Sequence, residues 1–285
     1  MIYFLTVNYY SANLISKLIS SIDKTSNIDY KVIIINNSLD DRNIDNLKTE
    51  SVLIFNAETN LGFGCACNLG LKWIYIQDPQ AYIWIINPDA YLVDNTLDKV
   101  QPFFKLYPEI SILGTLIYTP TGEVWFAGGR FIPKNGAIIT EKKLTNTNID
   151  ANYVNCDWIS GCSLIVNLKN FSECPHFDSA YFLYYEDVDF CLRYASQGHI
   201  VAINNFSVLH EPSSITNRNI FQKIRYSTYS YLLTIDKYTN KFIFSIRLSL
   251  QILKAILGII LKPQAALGKI CGIWDYLIKN RSKYK

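Results

Sequence analysis

Ala81-Tyr82-Ile83-Trp84-Ile85-Ile86-Asn87-Pro88-Asp89 is an unbroken apolar run that stops at a polar turn. So short a run without polar alternation suits a strand covered on both faces, as in a parallel sheet. Three runs of the same kind precede it. Residues 2–7 end at Asn8, residues 31–35 end at Asn36-Asn37, and residues 52–55 end near Asn56. Helical spacing lies between them, through Leu14, Ile15, Leu18, Ile19 and Ile22, and again over 64–76 after a glycine-bearing turn. Strands and helices in alternation give an α/β class with a doubly wound, mostly parallel sheet.

Ligands of such sheets bind beyond the carboxyl ends of the strands. Asn8, Asn36, Asn37 and Asn87 all fall there. Asparagine offers donors and acceptors without charge, which suits a nucleotide diphosphate; it is also a good turn residue. Farther on, glycines punctuate short strand-like pieces over 111–157, which could form an acceptor-side subregion. Residues 158–166 read as a buried strand, 188–195 as a helix stopped near Gly198, and 200–203 and 207–210 as the last two strands.

The chain has 285 residues, 49% of them hydrophobic and 18% charged, which provides a sizeable core and excludes a disordered chain. The net charge of +3 conceals a division. Residues 1–212 carry 14 Lys/Arg against 22 Asp/Glu, a net of −8; residues 213–285 carry 13 Lys/Arg against Asp236 and Asp275, a net of +11. An acidic body with a basic tail points to an anionic surface as the tail's partner. The tail's Leu and Ile favour lipid over nucleic acid. Within 241–262, Arg247, Gln251, Lys254, Gly258 and Lys262 form one polar stripe on an otherwise apolar helix. Such a helix lies in a membrane interface; alternatively it packs on the body with its stripe in water, or pairs with a second copy. Seven cysteines without zinc spacing read as free thiols, and no secretory leader precedes the first strand, so a cytoplasmic location is expected.

Four segments carry candidate chemistry. In Asn60-Leu61-Gly62-Phe63-Gly64-Cys65-Ala66-Cys67-Asn68-Leu69-Gly70, two glycines precede a helix, where backbone amides can meet an anion. The spacing is not G-x-G-x-x-G, which argues against a dinucleotide oxidoreductase. Asp89 of Asn87-Pro88-Asp89 can hold a divalent ion, although the tripeptide is also a common turn. Glu186, Asp187 and Asp189 open a helix, where acids suit the dipole and one could serve as a general base. His210 ends the last strand of the body and is of the type that ligates metals.

Together with Thr6-Val7-Asn8-Tyr9, Ile35-Asn36-Asn37-Ser38 and Trp158-Ile159-Ser160-Gly161, these segments resemble family 2 glycosyltransferases, particularly the rhamnosyltransferase-like branch, over about residues 2–212. The resemblance implies a GT-A catalytic domain over 1–215, followed by a basic amphipathic helical tail over 216–285. It implies a UDP- or dTDP-sugar donor near Asn8, Asn37, Asn60, Gly62, Asn68, Asn87 and Asp89. It makes Asp187 the catalytic base, Asp89 and His210 ligands of Mn²⁺ or Mg²⁺, and Trp158 and Glu186 acceptor-side candidates. Asn36 stands where relatives more often carry Asp. The implied reaction is inverting transfer of rhamnose or another hexose to a glycan or lipid-linked glycan in surface polysaccharide biosynthesis, at the cytoplasmic face of the membrane. The alternative is a non-catalytic nucleotide-sugar-binding or scaffold protein on the same fold. Retention of Asp89, Asp187 and His210 together argues against it.

Overall fold

The structure, a computed structural model, describes residues 1–25, 28–93, 95–144, 152–211 and 219–279. The four apolar runs become β1 (Ile2–Asn8), β2 (Tyr30–Asn36), β3 (Val52–Asn56) and β4 (Tyr82–Ile86), all parallel to their neighbours in this group. The helices between them are α1 (Ala12–Thr25) and α2 (Phe63–Gln77). After β4 come β5 (Ala90–Leu92), α3 (Thr96–Leu106), β6 (Ile110–Tyr118), β7 (Val124–Phe126), the hairpin β8 (Gly129–Ile132) and β9 (Ala137–Thr140), β10 (Tyr153–Asn155) and β11 (Ser163–Asn167). The body closes with α4 (Glu186–Ala195) and β12 (Ile200–His210).

The main sheet runs β10-β12-β6-β11-β4-β1-β2-β3, with β11 antiparallel between β6 and β4. Chain order reverses between β1 and β4, since β2 and β3 extend to one side and β4 lies on the other. That is a topological switch point, and it places Asn8 and the Asn87–Asp89 turn at the same crevice. Every residue of β1 and of β4 is buried, which is why both are apolar without alternation. Inside the sheet, Trp84 Nε1 and Thr115 Oγ1 both donate to Ser163 Oγ, at 2.9 and 2.8 Å.

Two expectations change. The stretch 158–166 is not one strand: β11 starts at Ser163, and Trp158 makes a single bridge to Gly129. A turn closed by Ser163 N–H on Ser160 O breaks the extension there. The expected strands 200–203 and 207–210 are one strand, β12, whose register shifts between Ile203 and Ser207. Neither β5 nor α3 was legible, because β5 has three residues and α3 carries Pro102 inside it.

The expected boundary at 215/216 lies outside the described residues. Beyond it stand α5 (Ile220–Tyr238), α6 (Lys241–Leu261) and α7 (Pro263–Lys279). Helix α7 approaches α5 closely at two glycines: a Cβ at Gly268 would lie 2.5 Å from Phe221 O, and one at Gly272 would lie 2.4 Å from Arg225 O. Arg225 grips Asp275 with Nε and an Nη, at 2.6 and 3.1 Å. Leu232, Ile235, Phe244 and Tyr276 form a second core with Phe131 and Tyr181, so these helices are packed onto the body.

Helix α6 sits opposite to ordinary packing. Part of its polar stripe faces the protein: Arg247 Nε donates to Asn135 O at 2.6 Å, and Gln251 Oε1 accepts from Lys269 Nζ at 2.6 Å, while Lys254 and Lys262 are exposed. Most of its apolar residues face outward, while Phe244 and Ala255 are buried. Phe242, Leu253, Ile256, Leu257, Ile260 and Leu261 are exposed, Ile260 by 89%. The alternative with the whole polar stripe in water is corrected at Arg247 and Gln251, which bond to the protein. By length and composition α6 could also cross a membrane.

Candidate active site

The crevice is floored by asparagines that bond one another. Asn8 Nδ2 donates to Asn36 Oδ1 at 2.9 Å and to Asp41 Oδ2 at 3.0 Å. Its Oδ1 accepts from Ser11 N–H and Ser11 O–H. Asn36 Nδ2 continues the chain to Asn56 Oδ1 at 2.8 Å. Asn8 is fully buried and its side chain has no bond left to give. Asn37 Nδ2 donates to Asn60 Oδ1 and Gly62 O, and its Oδ1 accepts from Leu61 N–H at 2.9 Å. Asn68 pairs with both backbone groups of Phe177. These side chains shape the loops from below.

Gly62 starts α2 at φ 78°, a left-handed conformation that favours glycine. A Cβ there would lie 2.0 Å from Phe182 O, while Phe63 N–H donates to that same carbonyl. The two segments therefore meet backbone to backbone.

On the far side of β4, Asp89 and His210 come together: Nε2 of His210 lies 3.2 Å from Asp89 Oδ1, both side chains almost fully buried. Strand pairing enforces this, since His210 of β12 registers with Ala90 of β5 and Glu211 N–H donates to Asp89 O. Trp125 packs edge-on against the imidazole at 4.7 Å, and Nδ1 has no partner among the described residues. One carboxylate and one imidazole fit part of the shell of Mn²⁺ or Mg²⁺, which substrate oxygens and water complete. No group of three or more His, Cys, Asp or Glu among the described residues could cage an ion alone. Asn87, partly buried, holds the turn open: its N–H donates to Cys162 O and its O accepts from Ala90 N–H.

The three acids of α4 have three fates. Asp187 is half-buried: Oδ2 accepts from Gly161 N–H and Oδ1 from Val188 N–H, each at 2.9 Å. Burial raises its carboxyl above the usual range while these amides pull it back. Glu186 is buried, and its Oε2 has no partner among the described residues. Burial, then the neighbouring Asp187, push it up to about 8. Asp189 is fully buried and accepts from Lys237 Nζ at 2.5 Å, Tyr238 O–H at 2.9 Å and Arg193 Nε at 3.3 Å, tying α5 to α4.

The Asp187 and Asp89 clusters share one neighbourhood. Burial pushes the Cys162 thiol well up, and the negative charges of Asp89 and Asp187 add to it. Trp158 is not free in the crevice. It is buried against Phe126, and a Cβ at Gly129 would lie 2.1 Å from its indole, although Nε1 has no partner among the described residues.

Two features escaped the sequence reading. Tyr184 and Tyr185 both have positive φ, 71° and 63°. Such angles are rare for bulky residues and strain the turn that delivers Glu186 and Asp187. No side-chain pattern announces this, nor that Gly161 supplies the amide that holds Asp187.

A switch-point crevice with a carboxylate on one wall and an Asp–His pair on the other, backed by a helical extension, defines a GT-A fold. The chain belongs to glycosyl transferase family 2, whose sequence model matches residues 3–164. It is 27% identical over 183 residues to the N-acetylglucosaminyl-diphospho-decaprenol L-rhamnosyltransferase of Mycobacterium tuberculosis H37Rv, a match that covers 56% of this chain and 59% of that protein. It is 32% identical over 99 residues to rhamnosyltransferase WbbL of Escherichia coli K12, covering 33% of this chain and 37% of that one. The chain thus spans well under two thirds of the length of these curated relatives. Among solved structures, GalNAc-T7 with UDP, GalNAc and Mn²⁺ superposes over 99% of this chain and 56% of its own, with a TM-score of 0.59 and 11% identity, a likeness of fold.

Proposed function

We propose that the chain is an inverting glycosyltransferase that moves rhamnose or another hexose from a UDP- or dTDP-sugar to a lipid-linked glycan in surface polysaccharide biosynthesis. The observation that carries it is Asp187, held by Gly161 N–H across Cys162 from Asp89 and His210. Asp187 accepts the proton of the acceptor hydroxyl as that oxygen attacks the anomeric carbon. The amides on both of its oxygens keep it oriented and favour its ionised form against the effect of burial. Glu186, protonated at neutral pH, serves as a hydrogen-bond donor on the acceptor side. The Asn8–Asn36–Asn56 and Asn37–Asn60 chains position the loops against the donor nucleotide, with Gly62 and Asn68 bracing the same wall. Asp89 and His210 would hold a Mn²⁺ or Mg²⁺ ion, which stabilises charge on a departing diphosphate.

The tail fits the same reading. Its exposed apolar face on α6 and its surplus of Lys and Arg suit a peripheral position on an anionic membrane surface, at the cytoplasmic face. Arg247 and Gln251, mid-helix, are engaged with the protein, which favours lying in the interface over crossing it.

The test is release of nucleotide diphosphate from UDP-, dTDP- and GDP-sugars, with and without Mn²⁺. Metal-dependent release from one donor, reduced about 10²–10⁴-fold in Asp187→Asn, is expected. Release unaffected by that substitution would remove Asp187 from its role. Tight donor binding without release in the presence of acceptor would favour a binding protein.

A further inference from the structure

A cavity of about 370 Å³ opens between the β8–β9 hairpin, Tyr185 and helices α5, α6 and α7. Three cations line it, Arg247, Lys254 and Lys269, and no carboxylate does among the described residues. Four hydroxyl residues, Tyr185, Ser227, Thr228 and Tyr231, line it as well. Arg247 is fixed by Nε on Asn135 O, and Lys269 by Nζ on Gln251 Oε1. Burial, then nearby Lys254, lowers the Lys269 ammonium, a sign of two like charges close together. A half-enclosed cavity with three cations and only neutral partners is built for a multiply charged anion.

Its surroundings identify the anion. Tyr185 lies two residues before Asp187, within roughly 7 Å of chain. On the other side, Lys254 belongs to α6, whose exposed apolar residues run from Phe242 to Leu261. An anion held here would sit between the segment that delivers Asp187 and the helix that carries the exposed apolar residues.

We propose that this cavity binds the diphosphate of a lipid-linked acceptor, holding its sugar toward Asp187 and its chain along α6. The assignment rests on the glycosyl-transfer reading above. It accounts for the inverted packing of α6: the polar stripe holds the phosphates while the apolar face meets the lipid.

Farnesyl diphosphate is the probe, titrated by calorimetry in EDTA into the full chain and into Lys254→Ala, Lys269→Ala and the double variant. Phosphatidylglycerol vesicles are tested in parallel. Lys254 is exposed, so its variant carries the test if Lys269→Ala melts early. Each substitution is expected to weaken farnesyl diphosphate binding about tenfold, as loss of a charged hydrogen bond would, with vesicle binding changed less than twofold. Equal affinity of wild type and Lys254→Ala would overturn the proposal. Loss of vesicle binding with diphosphate binding intact would assign the cavity to phospholipid headgroups and overturn it too. Donor turnover by the wild type is scored separately: its absence would sink the glycosyl-transfer reading and leave the titration readable.

Discussion

The body and the helical tail obey opposite rules of surface. In the body, apolar runs vanish into the sheet, and polar groups at the strand ends bond one another. In α6 Arg247 and Gln251 are turned inward and Ile260, Leu261 and Phe242 are left exposed. Both regions fold by burying apolar surface, but exposed apolar side chains are scattered in the body, as at Leu39 and Ile76, and crowded along α6. The tail retains a row of exposed apolar side chains on one helix, which marks it as a contact surface.

The junction between them should be the most sensitive point. Asp189 is fully buried, and Lys237 bridges it to Asp178 at 2.5 and 2.7 Å. Lys237→Met leaves Asp189 with Tyr238 and Arg193 alone. A loss of about 3 kcal/mol in urea unfolding is expected, with α5 loosening first in hydrogen exchange. A change below about 0.5 kcal/mol would mean that the tail is not anchored through this pair.

The contrast itself breaks if α6 is ordinary. Leu257→Glu with Ile260→Glu should leave unfolding free energy within about 0.5 kcal/mol of wild type, because both positions are exposed. Association with anionic vesicles should fall at least about tenfold, as each side chain is worth roughly 1.5 kcal/mol or more when buried. A fall in stability together with a change from dimer to monomer in sedimentation would assign the face to a second copy.

Smallest is a pH effect confined to the body. Glu186 is raised to about 8 in the fold from an ordinary 4.5, so the native state holds a proton that the unfolded chain releases. Stability should therefore decline as pH rises from about 4.5 to about 8, and Asp187, also raised, adds in the same direction. Glu186→Gln should flatten most of that slope in melting temperature against pH. An unchanged slope would place the titration elsewhere.

The Glu186–Asp189 segment shows how far sequence reading goes. Three acids at a helix start fit dipole, base and solvation alike, and the chain order does not rank them. The fold separates them by what each meets: amides for Asp187, an apolar wall for Glu186, and Lys237 from 48 residues away for Asp189. Tyr184 and Tyr185 were silent for a related reason, since a positive φ in a non-glycine residue is imposed by tertiary context.

The sequence alone determined the α/β class, the parallel order of the first four strands and the family, because buried parallel strands and their turn residues are written as local patterns. It also determined that a basic, apolar tail follows an acidic body, since charge is a matter of composition. Only the tertiary structure decided which way α6 faces and which acid Gly161 holds. Those outcomes depend on contacts between residues far apart in the chain, where hydrophobic periodicity gives a helix its stripe but not its partner.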